Sequence, residues 1–317
     1  MVKKVVRSTI GCDPEFFLKC ADTGKMISAI GIIPGTKEEP FLMENGAGLQ
    51  IDNVALEFAS PVAHSGQDLV KHIGDTFKQL RERVPANLSL AVEPSAVFED
   101  DQLDNEEAKR FGCSPDYDAW ELIRNESPSH PNPNFRSCGG HVHAGHVEGD
   151  GNNFLLEPLG KVATVRAMDT IHGIISTVMD NSPSAIERRK LYGKAGCHRP
   201  TDYGLEYRVL SNFWMKSPQL VMLIDSLTQD ALRLVREAPN LEAILENPDE
   251  HLNLVNLVGS NEIVNIINNG DVEAAKSALE KHIYPVLSED SRYYLNECLD
   301  KSHTYDFVTE WALAVNA

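Results

Sequence analysis

Hydrophobic and polar residues follow different patterns in the two parts of the chain. Up to about residue 150, short apolar runs are separated by Pro, Gly and Asn, which is typical of strands joined by turns. The strands predicted from these runs are 11–18, 26–33, 51–59, 88–93 and 139–145, followed later by 205–210. They do not alternate regularly with helices, so the pattern disfavours a doubly wound parallel sheet.

Apolar residues at helical spacing occur once in the first part, over 66–83, and dominate after residue 158. There the predicted helices are 159–179, 218–237, 271–283 and 305–315. The helix over 218–237 follows Ser217-Pro218, a capping residue and a proline at the first helical position. We therefore expect an α+β protein in which helices pack on an antiparallel sheet, with a helical C-terminal region.

Composition narrows the classes of function. The 317 residues are 42% hydrophobic and 24% charged, as in globular proteins, and the net charge is −18. This charge would repel a phosphate backbone or an anionic membrane, so we expect neither nucleic acid nor membrane as a partner. No apolar run approaches the roughly 20 residues of a membrane span, and no C-x-x-C pair occurs among the six cysteines. A cytoplasmic location is expected.

Two carboxylates stand close together in the first predicted strand. Asp13 and Glu15 are separated only by Pro14, so both side chains project from one face of the strand. Like charges at this distance are destabilising unless a cation lies between them. The alternative is a solvated strand face.

A further carboxylate interrupts the apolar run 51–59. Glu57 is flanked by apolar residues, and a charge in such a run is rarely buried unless it is paired or binds a metal. In one continuous strand Glu57 shares a face with Asn53, whereas Asp52 points to the other side. Asp52 is therefore expected to be a ligand only if a bulge intervenes, and it ranks below Glu57.

The sequence Gly139-Gly140-His141-Val142-His143 places two histidines on one strand face, beside glycines that let a ligand approach the backbone. The pair favours a binding site over a structural role. Zinc is one candidate, since histidine nitrogen suits it.

Glu206 and Arg208 share a face of the strand 205–210, either as a cation ligand beside a phosphate-binding guanidinium or as a cross-strand ion pair. Upstream, the stretch 188–199 contains five Lys or Arg in twelve residues. In an acidic chain this stretch indicates an anion pocket, with a solvated basic loop as the alternative. No P-loop, Rossmann glycine motif, G-x-S-x-G or H-E-x-x-H motif is present.

Taken in order, D-x-E, the strand glutamate, H-V-H and E-Y-R resemble the carboxylate-amine ligases of the glutamine synthetase and glutamate-cysteine ligase fold. The chain is most similar to the COOH-NH2 ligase type 2 family of bacteriophage genomes, because it also contains an F-G-C-x-P-D-x-x-A-W segment at 111–120. The resemblance spans about residues 11 to 214.

The resemblance implies a glutamine synthetase-like fold, the cofactors ATP and Mg²⁺ (with Mn²⁺ as an alternative), and an acyl phosphate intermediate. It implies a catalytic region over 1–215, with the helical region 216–317 packed on it. The substrates would be a small-molecule or peptide carboxylate and an amine, and a phage-encoded enzyme would act in the host cytoplasm. The implied metal ligands are Asp13, Glu15, Glu57, His141 and Glu206. The implied nucleotide or phosphate contacts are His141, His143, Lys194, Arg199 and Arg208. The implied catalytic arginines are Arg189, Arg199 and Arg208.

Three alternatives stay open at this point. A guanidino-type phosphotransferase of the same fold would release a stable phosphorylated product and no amide. A zinc hydrolase would use His141, His143 and Glu57 with a metal-bound water as nucleophile. The third alternative is a non-enzymatic nucleotide-binding or phage structural protein.

Overall fold

The computed structural model describes residues 7–109, 116–238 and 258–316. Its strands are β1 (Thr9–Cys20), β2 (Met26–Ile27), β3 (Phe41–Leu42), β4 (Gly48–Asp52), β5 (Ala55–Ala59), β6 (Leu88–Ala91), β7 (Ser95–Val97), β8 (Tyr117–Asp118), β9 (Ile123–Arg124), β10 (Phe135–Ser137), β11 (Gly140–Gly145), β12 (Cys197–Thr201) and β13 (Gly204–Tyr207). Its α-helices are α1 (Gly66–Arg83), α2 (Glu106–Lys109), α3 (Pro158–Met168), α4 (Ile174–Met179), α5 (Pro183–Arg189), α6 (Pro218–Glu237), α7 (Ser260–Asn269), α8 (Val272–Ala278), α9 (Glu289–Cys298) and α10 (Phe307–Asn316).

One large sheet carries most of these strands, in the order β3-β4-β5-β1-β11-β13-β12-β8-β9, with β2 and β6 paired to the far end of β1. Each strand pair described in this sheet is antiparallel. The strands β7 and β10 form a separate two-stranded sheet. The prediction of an α+β fold with an antiparallel sheet is confirmed.

One face of the sheet is apolar and carries the core. Residues such as Phe16, Leu56, Val142 and Leu205 alternate with the polar positions of their strands and are fully buried. The helices α1 and α3 contact the sheet, and α6 packs against both of them. Because this layer covers the apolar face, the functional groups of the same strands lie on the opposite face.

Two long helices have the predicted bounds because their end signals are local. In α1 the side chain of Ser65 accepts a hydrogen bond from the Asp68 backbone N–H, and in α6 Ser217 does the same for Leu220. The predicted helix 159–179 is instead divided by a π-helical segment, Asp169–Gly173, and 271–283 likewise ends in a π-helical segment, Leu279–Ile283.

The prediction of one continuous strand over 51–59 is wrong. The segment is a hairpin of β4 and β5, because Asn53 adopts a positive φ of 56° and the chain reverses between Asp52 and Ala55. The strand predicted over 26–33 is also shorter, since only Met26–Ile27 pairs with β1. In the described part of the chain no helix has the length and apolar character needed to cross a membrane. The division at residues 215 and 216 stays a prediction.

Candidate functional site

The strand register places the predicted ligands on the face of the sheet opposite the helices. Asp13 pairs with His141 across β1 and β11, and Glu15 pairs with Glu57 across β1 and β5. His143 on β11 lies opposite Glu206 on β13. Directly opposed residues of antiparallel strands project to the same side. Six of the side chains that the resemblance implies therefore share this face: Asp13, Glu15, Glu57, His141, His143 and Glu206.

Asp13 lies between the two histidines. Its Oδ1 atom is 3.3 Å from His141 Nδ1 and 3.1 Å from His143 Nε2. His141 Nδ1 is also 3.3 Å from Glu206 Oε1, while His143 Nδ1 lies 2.5 Å from the hydroxyl of Tyr203. Both rings are thus oriented by neighbours on the sheet, as metal-binding histidines usually are.

Arg208 lies at the other end of this group and is buried. Its Nη1 atom donates to Glu206 Oε1 and lies 3.3 Å from His141 Nδ1, while its Nε atom lies 3.4 Å from Asp116 Oδ2. Arg199 approaches the same glutamate, with Nη1 3.3 Å from Glu206 Oε1. Glu206 therefore connects the histidines to two guanidinium groups.

A second carboxylate cluster consists of Glu15, Asp52 and Glu57, from each of which one oxygen atom lies within 4.8 Å of the others. Asp52 contradicts the expectation that it points away from Glu57. The hairpin, and not a bulge, brings it to this face, because Gln50 lies opposite Glu57 and Asp52 is two residues further along β4. Gln50 Nε2 donates to Glu57 Oε2 at 3.0 Å.

The two clusters shift the pKa values of their carboxyl groups in opposite directions. Burial alone would raise the pKa of Asp13, but the neighbouring His143 and His141 outweigh it and lower that pKa. Burial lowers the pKa of His143, yet Asp13 reverses this effect and the pKa is raised. In the second cluster, burial and the nearby Asp13, Asp52 and Glu15 raise the pKa of Glu57 well above its ordinary value. The pKa of Glu15 is likewise raised, chiefly by burial.

Two sets of atoms on this face fit divalent cations. Asp13, His143 and Glu206 offer ligand atoms within 4.8 Å of one another, as do the three carboxylates of the second cluster. Among the described residues, the buried atoms Asp13 Oδ1 and His143 Nε2 make no hydrogen bond, although they lie 3.1 Å apart. These atoms retain capacity to coordinate a cation, and carboxylate oxygen is the ligand that Mg²⁺ and Mn²⁺ prefer.

The zinc-hydrolase alternative requires that His141, His143 and Glu57 together bind one metal ion. Within the described ranges, His141, His143 and Glu57 are not grouped at that mutual distance, because the carboxylate of Glu57 joins Glu15 and Asp52. The geometry therefore favours two cation sites over one zinc site built from the two histidines and Glu57.

The side chains of the basic stretch 188–199 do not converge on one place in the structure. Arg188 is buried and donates to the carbonyl of Val209 at 2.8 Å, and Arg189 is buried and donates to the carbonyl of Ser176 at 3.2 Å. Arg189 also lies 3.9 Å from Asp180. Arg189 does not join the cluster in the structure, because consecutive positions of α5 face different neighbours.

The two other predicted basic residues lie on either side of a turn. Arg199 faces Glu206, as described above, whereas Lys194 is exposed and lines a pocket beside Asp116. Of the segment 111–120 that supports the family resemblance, residues 111–115 lie outside the described residues. Its described part brings Asp116 to Arg208 and directs Trp120 Nε1 to Asp169, 2.6 Å away.

Sequence reasoning missed three side chains of the site. Asp116 stands in the quoted segment 111–120 and was identifiable there as a carboxylate without a role. Asp52 was considered but assigned to the wrong face. Tyr203 precedes β13 in a turn, and nothing in its local sequence indicates that its hydroxyl contacts His143.

Comparison with known proteins gives one family match. Residues 120–243 match the sequence model of the family described as Phage phiEco32-like COOH.NH2 ligase-type 2. The matched stretch contains the H-x-H, basic and E-x-R segments, whereas Asp13, Glu15 and Glu57 precede it. The resemblance to this family of carboxylate-amine ligases, noted in the sequence, is confirmed over the matched stretch. No protein of curated function matches the sequence significantly.

Two solved structures resemble the fold. One is a bifunctional glutathione synthetase from Pasteurella multocida, with a TM-score of 0.48, 12% identity and coverage of 97% of this chain. The other is the complex between the prokaryotic ubiquitin-like protein Pup and its ligase PafA, with a TM-score of 0.40, 11% identity and coverage of 98%. This chain spans 48% of the first protein's length and 68% of the second's. At these TM-scores neither likeness bears on the activity of this chain.

Proposed function

We propose that this protein is an ATP- and Mg²⁺-dependent ligase that joins a carboxylate to an amine through an acyl phosphate. The observation that carries the proposal is that the predicted metal-binding side chains converge on one face of the sheet. The matched segment supplies His143 and Glu206, which lie opposite each other. The preceding strands supply Asp13, which lies opposite His141, and the pair of Glu15 and Glu57. We also infer that residues 1–215 form a glutamine synthetase-like catalytic region.

The two clusters would each hold one cation. Asp13, His143 and Glu206 would form the first site, and Glu15, Asp52 and Glu57 the second. Bound Mg²⁺ would neutralise charge on the transferring phosphoryl group. Of the predicted metal ligands, His141 would not bind a cation itself, because its Nδ1 atom contacts Asp13, Glu206 and Arg208. We assign it to orienting these side chains beside the phosphate.

Arg208 would act directly on the substrate phosphate. It is buried next to the first cation site, and a guanidinium in this place stabilises negative charge that grows on the γ-phosphoryl oxygens. The substrate carboxylate oxygen attacks the γ-phosphorus and ADP leaves. The amine nitrogen then attacks the activated carbonyl carbon and loses a proton, and inorganic phosphate leaves as the C–O bond breaks.

Trapping with hydroxylamine tests this pathway. We expect the enzyme, incubated with ATP, Mg²⁺, hydroxylamine and a panel of carboxylic acids, to form a hydroxamate and ADP in equal amounts with the correct acid. A stable phosphorylated product without hydroxamate would favour the guanidino-type phosphotransferase. Hydrolysis that needs zinc and no ATP would favour the zinc hydrolase.

A further inference from the structure

A pocket of about 460 Å³ lies beside the candidate site, between the sheet edge at β9 and the loop that precedes β12. Its volume is within the range of small-molecule pockets. The lining residues belong to two stretches that are distant in sequence, 116–129 and 190–197. They are Asp116 and 123–129 on one side, and Lys190, Leu191, Tyr192, Lys194 and Cys197 on the other.

One lining residue, Asp116, contacts the candidate site. Its Oδ2 atom lies 3.4 Å from Arg208 Nε. Arg208 in turn contacts Glu206, a ligand of the first proposed cation site. A molecule in the pocket can therefore direct one end past Asp116 toward the guanidinium, while its other end stays among the lining residues.

The pocket contains basic side chains besides the carboxylates of Asp116 and Glu126. Arg124, Lys190 and Lys194 line it, and of these only Lys190 has a carboxylate partner among the described residues, Glu187 at 2.5 Å. Arg124 and Lys194 thus form no ion pair within the described protein. A guanidinium or ammonium group without an ion-pair partner can bind an anion through charge-assisted hydrogen bonds.

The remaining lining adds hydrogen-bonding groups. Ser127 and Ser129 belong to the proline-rich segment 127–135, the first three residues of which line this pocket. Hydroxyl groups beside a lysine and an arginine suit the oxygens of a carboxylate or phosphate. The thiol of Cys197 also lines the pocket, but burial raises its pKa, so it does not serve as a nucleophile.

We propose that this pocket binds the acid substrate, and that this substrate carries a second anionic group besides the carboxylate that is activated. The proposal rests on the proposed ligase function. Arg124 and Lys194 bind the second anionic group, a carboxylate or a phosphate, and Asp116 and Arg208 mark the end where the reacting carboxylate lies. A neutral acid of the same length would leave both cations without a partner.

Direct binding tests the pocket without any turnover. The full chain is titrated calorimetrically with three probes: glutarate, O-phosphoserine and the neutral control butyrate. We expect at least one of the two doubly charged acids to bind roughly tenfold or more tightly than butyrate, and to lose this advantage in the Arg124→Ala, Lys194→Ala double variant. The preferred probe identifies the second group as carboxylate or phosphate.

A matched control separates a local effect from a change of net charge. The Arg81→Ala, Lys281→Ala double variant removes the same two charges from exposed positions outside the pocket, and it should bind like the wild type. Equal affinity of all three probes, or an equal loss in both double variants, would overturn the pocket assignment.

Kinetics then distinguish this proposal from the function on which it rests. With hydroxylamine, ATP and the preferred acid, the pocket variant should raise the KM for the acid roughly tenfold or more and leave the KM for ATP within about twofold. Selective binding of the acid without any hydroxamate would leave the pocket standing and remove the ligase function. A rise in the KM for ATP alone would instead assign the pocket to nucleotide.

Discussion

At the scale of single residues, the buried guanidinium of Arg208 is held between Glu206, His141 and Asp116. Its Nη1 atom contacts Glu206 of the first proposed cation site, and its Nε atom lies beside Asp116, which lines the pocket. The plane of the guanidinium is therefore fixed. Lysine preserves the charge of such a residue but has no planar fork, and it cannot reach both of these groups at once.

We therefore expect Arg208→Lys to lower turnover by roughly 100-fold or more, the scale of losing one transition-state donor, with little change in ATP affinity. Steady-state kinetics and calorimetry measure the two quantities. Arg233→Lys, which alters an arginine that pairs with the buried Asp230 outside the cluster, should retain wild-type turnover. Near wild-type turnover in Arg208→Lys would show that the residue forms a structural ion pair only.

Two glutamates of the site are expected to affect stability in opposite directions. Burial and three carboxylates raise the pKa of Glu57, whereas for Glu206 burial and Asp13 are outweighed by Arg208, His141 and Arg199, which lower its pKa. A raised carboxyl pKa means that ionisation opposes folding, and a lowered one means that it favours folding.

In metal-free buffer at about pH 8, Glu57→Gln should therefore raise the free energy of unfolding by about 1 kcal/mol or more. Glu206→Gln should lower it by about 3 kcal/mol, because the buried Arg208 would lose the carboxylate that accepts a hydrogen bond from its Nη1 atom. Urea denaturation with a chelator present measures both values. A change of the same sign in the two variants would contradict the electrostatic account.

At the scale of the elements, the π-helical segment after α3 holds a buried carboxylate beneath the sheet. Asp169 accepts hydrogen bonds from Trp120 Nε1, the hydroxyl of Tyr207 and the backbone N–H of Gly196, at 2.6, 2.7 and 2.6 Å. It thereby joins β13 to the turn before β12. Burial raises its pKa to about 7, although the hydrogen bonds oppose this rise.

The raised pKa predicts a pH-dependent contribution to stability. The folded state keeps the Asp169 proton to higher pH, so stability from this group is fully present below the ordinary aspartate pKa and is lost as pH rises to about 7. Asp169→Asn does not titrate. The stability of the variant relative to wild type should therefore increase between about pH 4 and 7, as measured by urea denaturation.

The exposed Gln67→Asn change, which neither adds nor removes a titrating group, supplies the control, and its difference from the wild type should not vary with pH in this way. A difference between Asp169→Asn and wild type that is constant from pH 4 to 7 would show that Asp169 is ionised throughout.

Elements were predictable from the sequence where their signals are local. The bounds of α1 and α6 follow from their serine caps and apolar spacing, and the faces of Asp13 and His143 follow from strand alternation. The hairpin at Asn53 was not predictable, because 51–59 also fits one continuous apolar strand. Its positive φ depends on tertiary contacts, including the hydrogen bond from Arg136 Nε to Asn53 Oδ1.

At the scale of the whole molecule, the antiparallel order of strands builds the site from distant segments. The strand β1 lies between β5 and β11, so it brings the N-terminal carboxylates against the segment that matches the ligase family. Local sequence gives which side chains share a strand face, but not which strands are neighbours. The pairing of Glu15 with Glu57 and of His143 with Glu206 therefore required the fold.

We expect this face to bind nucleotide through two cations, one in each cluster. Calorimetric titration of ATP with and without Mg²⁺ tests this expectation most directly, using wild type, Glu57→Gln and Glu206→Gln, with the exposed Glu262→Gln as control. We expect Mg²⁺-dependent binding in wild type and control, weakened at least roughly tenfold in each cluster variant while circular dichroism shows the fold retained. Wild-type, Mg²⁺-dependent affinity in both cluster variants would contradict this expectation.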